Sequence, residues 1–177
     1  MKEAHSARSG VMLDVFDQGV LLLGESGSGK SDVALALVDR GHFLVADDLV
    51  EFYLRDKTLF GCCREGFAGF IEINGLGVIN LRQLYGDQAV REYARLDLVL
   101  SFETQPADEY DCLKPVQFEW QALGQAVTAW RLHCQARPNM ALIVETAVRL
   151  NHALRQGYDA SSDLQLRLAS LLNEETV

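Results

Sequence analysis

Residues Gly24-Glu-Ser-Gly-Ser-Gly-Lys30-Ser31 match the pattern G-x-x-x-x-G-K-[ST], and no other stretch of the sequence restricts the fold as tightly. The match follows an apolar run, Val20–Leu23, and opens a segment, Lys30–Arg40, in which Val33, Ala34, Leu37 and Val38 recur at helical spacing. Gly41 follows directly as a C-terminal cap. A strand that passes through a glycine-rich bend into a helix turns its backbone N–H groups inward and aims the positive end of the helix at the bend. Gly24, Glu25, Ser26, Gly27, Ser28 and Gly29 would line such a phosphate cradle. Lys30 would reach the β and γ phosphates, and Ser31 would offer a hydroxyl oxygen to Mg²⁺. The bland alternative, a glycine-rich turn with an accidental lysine, leaves the flanking strand and helix unexplained.

The rest of the chain reads as short extended pieces followed by helices. Gly10–Phe16 and Val20–Leu23 flank a turn at Asp17-Gln18-Gly19, Phe43–Ala46 is a further strand, and Leu49–Leu54 with Thr58–Cys62 forms a hairpin. Gly61–Gly69 reads as a loop, Phe70–Asn80 as two extended pieces around Gly75 and Gly77, and Leu81–Tyr85 as a short helix. Leu96–Phe102 and Val127–Cys134 are strands joined through a polar connection at Gln105–Lys114. Met140–Gln156, closed by Gly157, and Ser161–Leu172, with Ser162 and Gln165 spaced as a capping box, predict two C-terminal helices. The expectation is one α/β domain over residues 1–177, with no internal repeat or linker.

Composition narrows the classes of partner. With 16 lysines and arginines against 25 acids the formal charge is −9, which opposes non-specific binding to nucleic acid or anionic lipid. No apolar run approaches the roughly 20 residues of a membrane helix, and the first ten residues lack a signal-peptide core, so a cytoplasmic protein is expected. Cys62, Cys63, Cys112 and Cys134 form no CxxC and have no histidine at ligand spacing; they read as reduced packing residues.

Carboxylates supply the second half of a candidate site. Asp47 and Asp48 close the strand after the loop's helix, and ligands collect at the carboxyl ends of strands in open α/β sheets. One acid of such a pair can hold Mg²⁺ while the other takes a proton from an attacking hydroxyl; capping a turn is the alternative. Glu72, on a short apolar segment before Gly75-Leu-Gly77, is expected to be semi-buried and to find its partner in Mg²⁺ or another cation. Arg64 could reach a phosphate from the mobile Gly61–Gly69 loop. His42 and His133 read as turn and strand residues, and Tyr110, Phe118, Trp120 and Trp130 as core aromatics.

Two stretches carry a family resemblance. GVLLLGESGSGKSDVALALVDRGHFLVADD, Gly19–Asp48, and IEINGLGVINLRQLYG, Ile71–Gly86, in this order, resemble the two signatures of the HPr kinase/phosphorylase C-terminal catalytic domain. Ala89-Val90-Arg91 and Met140–Arg149 are similar more loosely. The resemblance implies a kinase fold related to the phosphoenolpyruvate carboxykinase type. It further implies a short form without the family's N-terminal domain, and a homo-oligomer, commonly a hexamer. Family members transfer phosphate from ATP, in some cases from pyrophosphate, to a serine of the phosphocarrier protein HPr, and many remove it by phosphorolysis. Carried over by position, Lys30 and Ser31 would hold phosphate and Mg²⁺. Asp47 would be base in the forward direction and acid in reverse, and Asp48 and Glu72 would support the metal.

Three positions depart from the family pattern. Ser9 stands where a histidine is expected, with His5 out of register; Asn74 replaces the arginine of the second signature; and Arg137 lies one position early before the last apolar helix. The lost groups would act on the acceptor and the transferring phosphate. Two alternatives therefore accompany the kinase reading: a nucleotide-binding regulator without transfer activity, and a small-metabolite kinase on the same fold.

Overall fold

The computed structural model describes residues 6–104, 113–133 and 139–174. His5, Tyr110, Cys112, Cys134, Arg137 and most of the Gln105–Lys114 connection lie outside these residues. A mixed sheet is assembled from β1 (Ser6–Ser9), β2 (Val11–Val15), β3 (Gln18–Gly24), β4 (Phe43–Ala46), β5 (Leu49–Arg55), β6 (Thr58–Cys62) and β9 (Tyr93–Glu103) in the order β1-β5-β6-β9-β3-β2-β4. The hairpins β2–β3 and β5–β6 are antiparallel, as their turn residues demand, whereas β3 and β9 run parallel. The long strand β9 meets β6 along Tyr93–Arg95 and β13 (Ala129–His133) along Val99–Glu103. Two-residue β10 (Val116–Gln117) extends the β13 branch. Two small ribbons complete the strands: β7 (Phe70–Ile73) with β8 (Gly77–Asn80), and β11 (Gln121–Ala122) with β12 (Gln125–Ala126).

Side chains of the central strands alternate between two cores, which is why those strands read as unbroken apolar runs. Val11, Leu13, Val20, Leu22, Leu98 and Leu100 face α1 (Lys30–Asp39) and α3 (Met140–Arg155), which contribute Val33, Ala34, Leu37, Val38, Ala141, Val144, Ala147 and Val148. Met12, Leu21, Val99 and Leu96 point to the opposite face, against Val50, Phe52, Leu59 and Ala129. Phe118 and Trp120 pack on this second core and Trp130 is fully buried in the first, so the aromatics serve packing. Complete burial of a leucine such as Leu37 contributes about 1.5–3 kcal/mol. Cys62 and Cys63 are free, half-buried thiols, and burial pushes both above their ordinary range.

α2 (Leu81–Tyr85) forms where expected, capped by Asn80, whose side chain accepts from the Arg82 N–H. α4 (Ala160–Glu174) starts earlier than its sequence signal. Asp159, not Ser162, caps it: the Asp159 carboxylate accepts from the Ser161 N–H at 3.0 Å and from the Ser161 and Ser162 hydroxyls at 2.6 and 3.0 Å. Ser162 therefore belongs to the first turn, and the Ser162–Gln165 capping box does not form. Leu164, Leu166, Leu168 and Leu171 on this helix remain 46–70% exposed.

Candidate functional site

The glycine-rich loop spans the end of β3 and the start of α1, and its backbone explains its glycines. Gly29 precedes the helix with φ at 85°, a left-handed conformation that a Cβ strains. Gly24, with φ at 146°, is restricted by space as well: a Cβ there would sit 2.8 Å from Ser28 Oγ and 3.0 Å from the carbonyl oxygen of Phe102 on β9. The Lys30 ammonium lies across the bend, donating to the carbonyls of Gly24 at 2.8 Å and Glu25 at 2.9 Å and to Ser28 Oγ at 3.3 Å. The loop's own carbonyls thus hold this cation across its mouth.

Ser31 and Asp47 come together as the sequence suggested. The Ser31 hydroxyl donates to Asp47 Oδ1 at 3.0 Å, and the Glu72 N–H donates to Asp47 Oδ2 at 3.1 Å. Burial pushes the Asp47 carboxyl above its ordinary value, outweighing these two hydrogen bonds, which act the other way. Asp48 sits in a tight three-residue turn, with the Leu49 N–H donating to the Asp47 carbonyl at 2.9 Å and φ at 68°. The Asp48 carbonyl in turn accepts from the Gly10 N–H at 2.9 Å, which ties the turn to the start of β2. A non-glycine residue held in this region stores strain that functional sites tolerate.

Glu72 corrects one expectation. Its side chain is exposed, not semi-buried, because the β7 pleat turns Ile71 and Ile73 into the core and Glu72 outward. It nonetheless faces the site: a cavity of about 430 Å³ over the loop is lined by Gly24, Lys30, Ser31, Asp47, Asp48 and Glu72. Ser9 and Asn74 line the same cavity, so two of the departures from the family pattern fall on the site itself. A second cavity of about 340 Å³ adjoins it, sharing Asp47, Asp48 and Glu72 and adding Cys63, Arg64 and an apolar rim of Leu49, Phe67, Phe70 and Val78. Sequence reasoning found Arg64 but missed this rim, whose signal was aromatic residues in a glycine-bearing segment with no helical or strand periodicity.

The donors suit Mg²⁺ by type. A serine hydroxyl and carboxylates are hard oxygen ligands, and Mg²⁺ takes one or two carboxylates, completing its shell with phosphate oxygens and water. Among the described residues, no group of three or more histidines, cysteines or acids is preassembled as a metal site. His42 lies away from this site, buried at the far end of α1, where Nε2 is 2.9 Å from Glu145 Oε1.

Strand, glycine-rich loop and helix on a mixed sheet, with acids set opposite, define a class: the kinase-like α/β folds. The family model for the HPr Serine kinase C-terminal domain matches residues 2–168, and the chain belongs to that family. It is 41% identical over 163 residues to an HPr kinase/phosphorylase of Caldicellulosiruptor bescii, covering 91% of this chain and 52% of the relative. An HPr kinase/phosphorylase of Azoarcus is 40% identical over 166 residues, covering 92% of this chain and 53% of the relative. The chain therefore spans about half the length of the curated relatives it matches. A solved structure of the Hpr(Ser) kinase/phosphatase from Coxiella burnetii superposes with a TM-score of 0.82 at 32% identity, covering 90% of this chain and 98% of that one. Among the described residues no helix is long and apolar enough to cross a membrane.

Proposed function

We propose that this chain binds ATP with Mg²⁺ on the glycine-rich loop and transfers the terminal phosphoryl group to a serine of an HPr-like phosphocarrier protein, with phosphorolysis as the reverse. The observation that carries this reading is the position of Asp47, Asp48 and Glu72, which line both the loop-side cavity and its apolar-rimmed neighbour. Acids so placed stand between a polyphosphate on the loop and a protein segment in the second cavity. Lys30 gives up the loop carbonyls and neutralises the transferring phosphate; the inward N–H groups of the loop hold the oxygens behind it. Asp47 takes the proton of the attacking serine hydroxyl and returns it in the reverse direction. Ser31, Asp48 and Glu72 would hold Mg²⁺, which supplies charge neutralisation when bound. In the same reading residues 1–177 act as one catalytic unit, in the cytoplasm and as a homo-oligomer, the hexamer being the family form.

Ser9 and Asn74 favour a second reading. Both line the loop-side cavity, and neither supplies the cation or proton relay of the residue it replaces, which leaves nucleotide binding intact and weakens transfer. The test is incubation of the full chain with γ-labelled ATP, Mg²⁺ and HPr. Label on an HPr serine is expected, with transfer by Lys30→Ala reduced about 10³-fold. Bound ATP with no transfer supports the regulator, and ADP release driven by a small hydroxyl compound without HPr supports the metabolite kinase.

A further inference from the structure

The cavity beside the loop-side site is lined by three acids, Asp47, Asp48 and Glu72, and by a single basic residue, Arg64. Lys30 lines the loop-side cavity but not this one. Other arginines of the surface are matched to acids: Arg40 to Glu145 at 2.6 Å, Arg95 and Arg155 to Asp97 at 2.7 and 2.9 Å, Arg82 to Asp87 at 3.3 Å. Arg64 has no ion pair among the described residues, although three carboxylates share its cavity.

Two successive turns shape the backbone that carries it. The Phe67 N–H donates to the Arg64 carbonyl at 3.1 Å, and the Phe70 N–H donates to the Phe67 carbonyl at 3.3 Å. Gly66 and Gly69 take the third position of each turn, with φ at 85° and 91°. The Gly69 carbonyl is tied down in its turn, accepting from the Leu81 N–H at 2.8 Å where α2 begins. Arg64 thus stands at the first corner of a bonded segment between β6 and β7, and its exposed side chain borders the cavity. Phe67, Phe70 and Val78 rim the same opening, 42–69% exposed.

Transfer to a serine places a phosphate monoester, close to a dianion at pH 7, where a neutral hydroxyl stood. Asp47, Asp48 and Glu72 repel that charge, and the loop cation serves the other cavity. A guanidinium without an ion pair supplies what is lacking: its planar fork matches two oxygens of one phosphate. The apolar rim suits the flanks of a protein segment and offers nothing to a free phosphate ion. We infer that Arg64 binds the phosphoseryl group of the phosphorylated acceptor, so that this cavity distinguishes the phosphorylated segment from its unmodified form and from inorganic phosphate. The inference rests on the acceptor's place in the proposed function and deepens it by naming the residue that reads the acceptor's phosphorylation state.

Fluorescence titration of the full chain, without nucleotide, with HPr and with serine-phosphorylated HPr tests this. Arg64→Gln should weaken the phosphorylated form about ten-fold and leave the unmodified form within about two-fold. Arg64→Lys should fall between wild type and Arg64→Gln, because an ammonium keeps the charge and loses the fork. The phosphorus resonance of the phosphoserine should shift on saturation with wild type and shift less on saturation with Arg64→Gln, a readout that a loop-shaping role would not move. Equimolar inorganic phosphate should displace none of the phosphorylated HPr. Equal loss of both forms in Arg64→Gln, an unchanged preference, the same phosphorus shift, no gain of lysine over glutamine, or displacement by phosphate overturns the role of Arg64 while the acceptor cavity stands. Failure of wild type to bind HPr in either form removes the acceptor cavity itself, and the inference with it.

Discussion

At the N-terminal end of α1 the acids Asp47, Asp48 and Glu72 have no lysine, arginine or histidine in ion-pair range among the described residues. At its C-terminal end Glu145 has Arg40 at 2.6 Å and His42 at 2.9 Å. The carboxyl groups respond in opposite directions. Burial without a cation pushes Asp47 up, whereas the Arg40 hydrogen bonds, helped by His42, pull Glu145 from its ordinary 4.5 down to about 2. Glu145 is finished: 5% exposed and gripped by a two-pronged guanidinium, it fastens α3 to the turn after α1. The acids at the other end are left short of positive charge, and a Mg²⁺–polyphosphate complex would bring what they lack. One helix thus joins a clamp that is complete in itself to a cluster of acids that, in the proposed function, a ligand completes.

Removing a carboxylate at each end should separate these roles. Asp47→Asn is expected to lower transfer about 10²–10³-fold while ATP affinity changes by less than about ten-fold, because the lost group meets the acceptor proton and not the nucleoside. Paired rate and binding measurements check this, and equal loss of both would place Asp47 in ground-state binding. Glu145→Gln should do the reverse, costing about 2–3 kcal/mol of stability at neutral pH with little change in transfer per folded molecule. Because the folded pKa of Glu145 is depressed, its contribution is fully present above 4.5 and is lost as pH falls through about 2. Urea midpoints of wild type and variant should therefore converge as the pH is lowered across that window. Smallest is Asp159→Ala at the cap of α4, expected to speed amide exchange in the first turn of that helix about ten-fold and to leave both ends of α1 untouched.

The same contrast marks what could be read from the chain. The loop, its flanking strand and helix, and the Asp47-Asp48 pair were legible because each is written in consecutive residues whose spacing reflects local geometry. The hairpins were legible for the same reason. The Glu145 clamp was not, since its arginine and histidine lie 105 and 103 residues away and no local pattern pairs them. β1 escaped notice because Ser6–Ser9 carries no apolar alternation; it is a strand only through its pairing with Leu49–Phe52. The cap of α4 was misplaced because a serine at the right spacing competed with an aspartate just upstream, which accepts from two hydroxyls and a backbone N–H together. Glu72 was misjudged because apolar neighbours in a strand point the opposite way from the residue between them.

Gly24 ties the cradle to a partner far along the chain. With Phe102 backbone 3.0 Å from where a Cβ would stand, the rim of the bend is moulded by a strand 78 residues downstream. Any larger residue there must push on β9, which carries β3 on one side and both β6 and β13 on the other. A residue without a side chain therefore has the least room to vary among the loop's glycines, and the shape of the bend is inherited from the middle of the sheet.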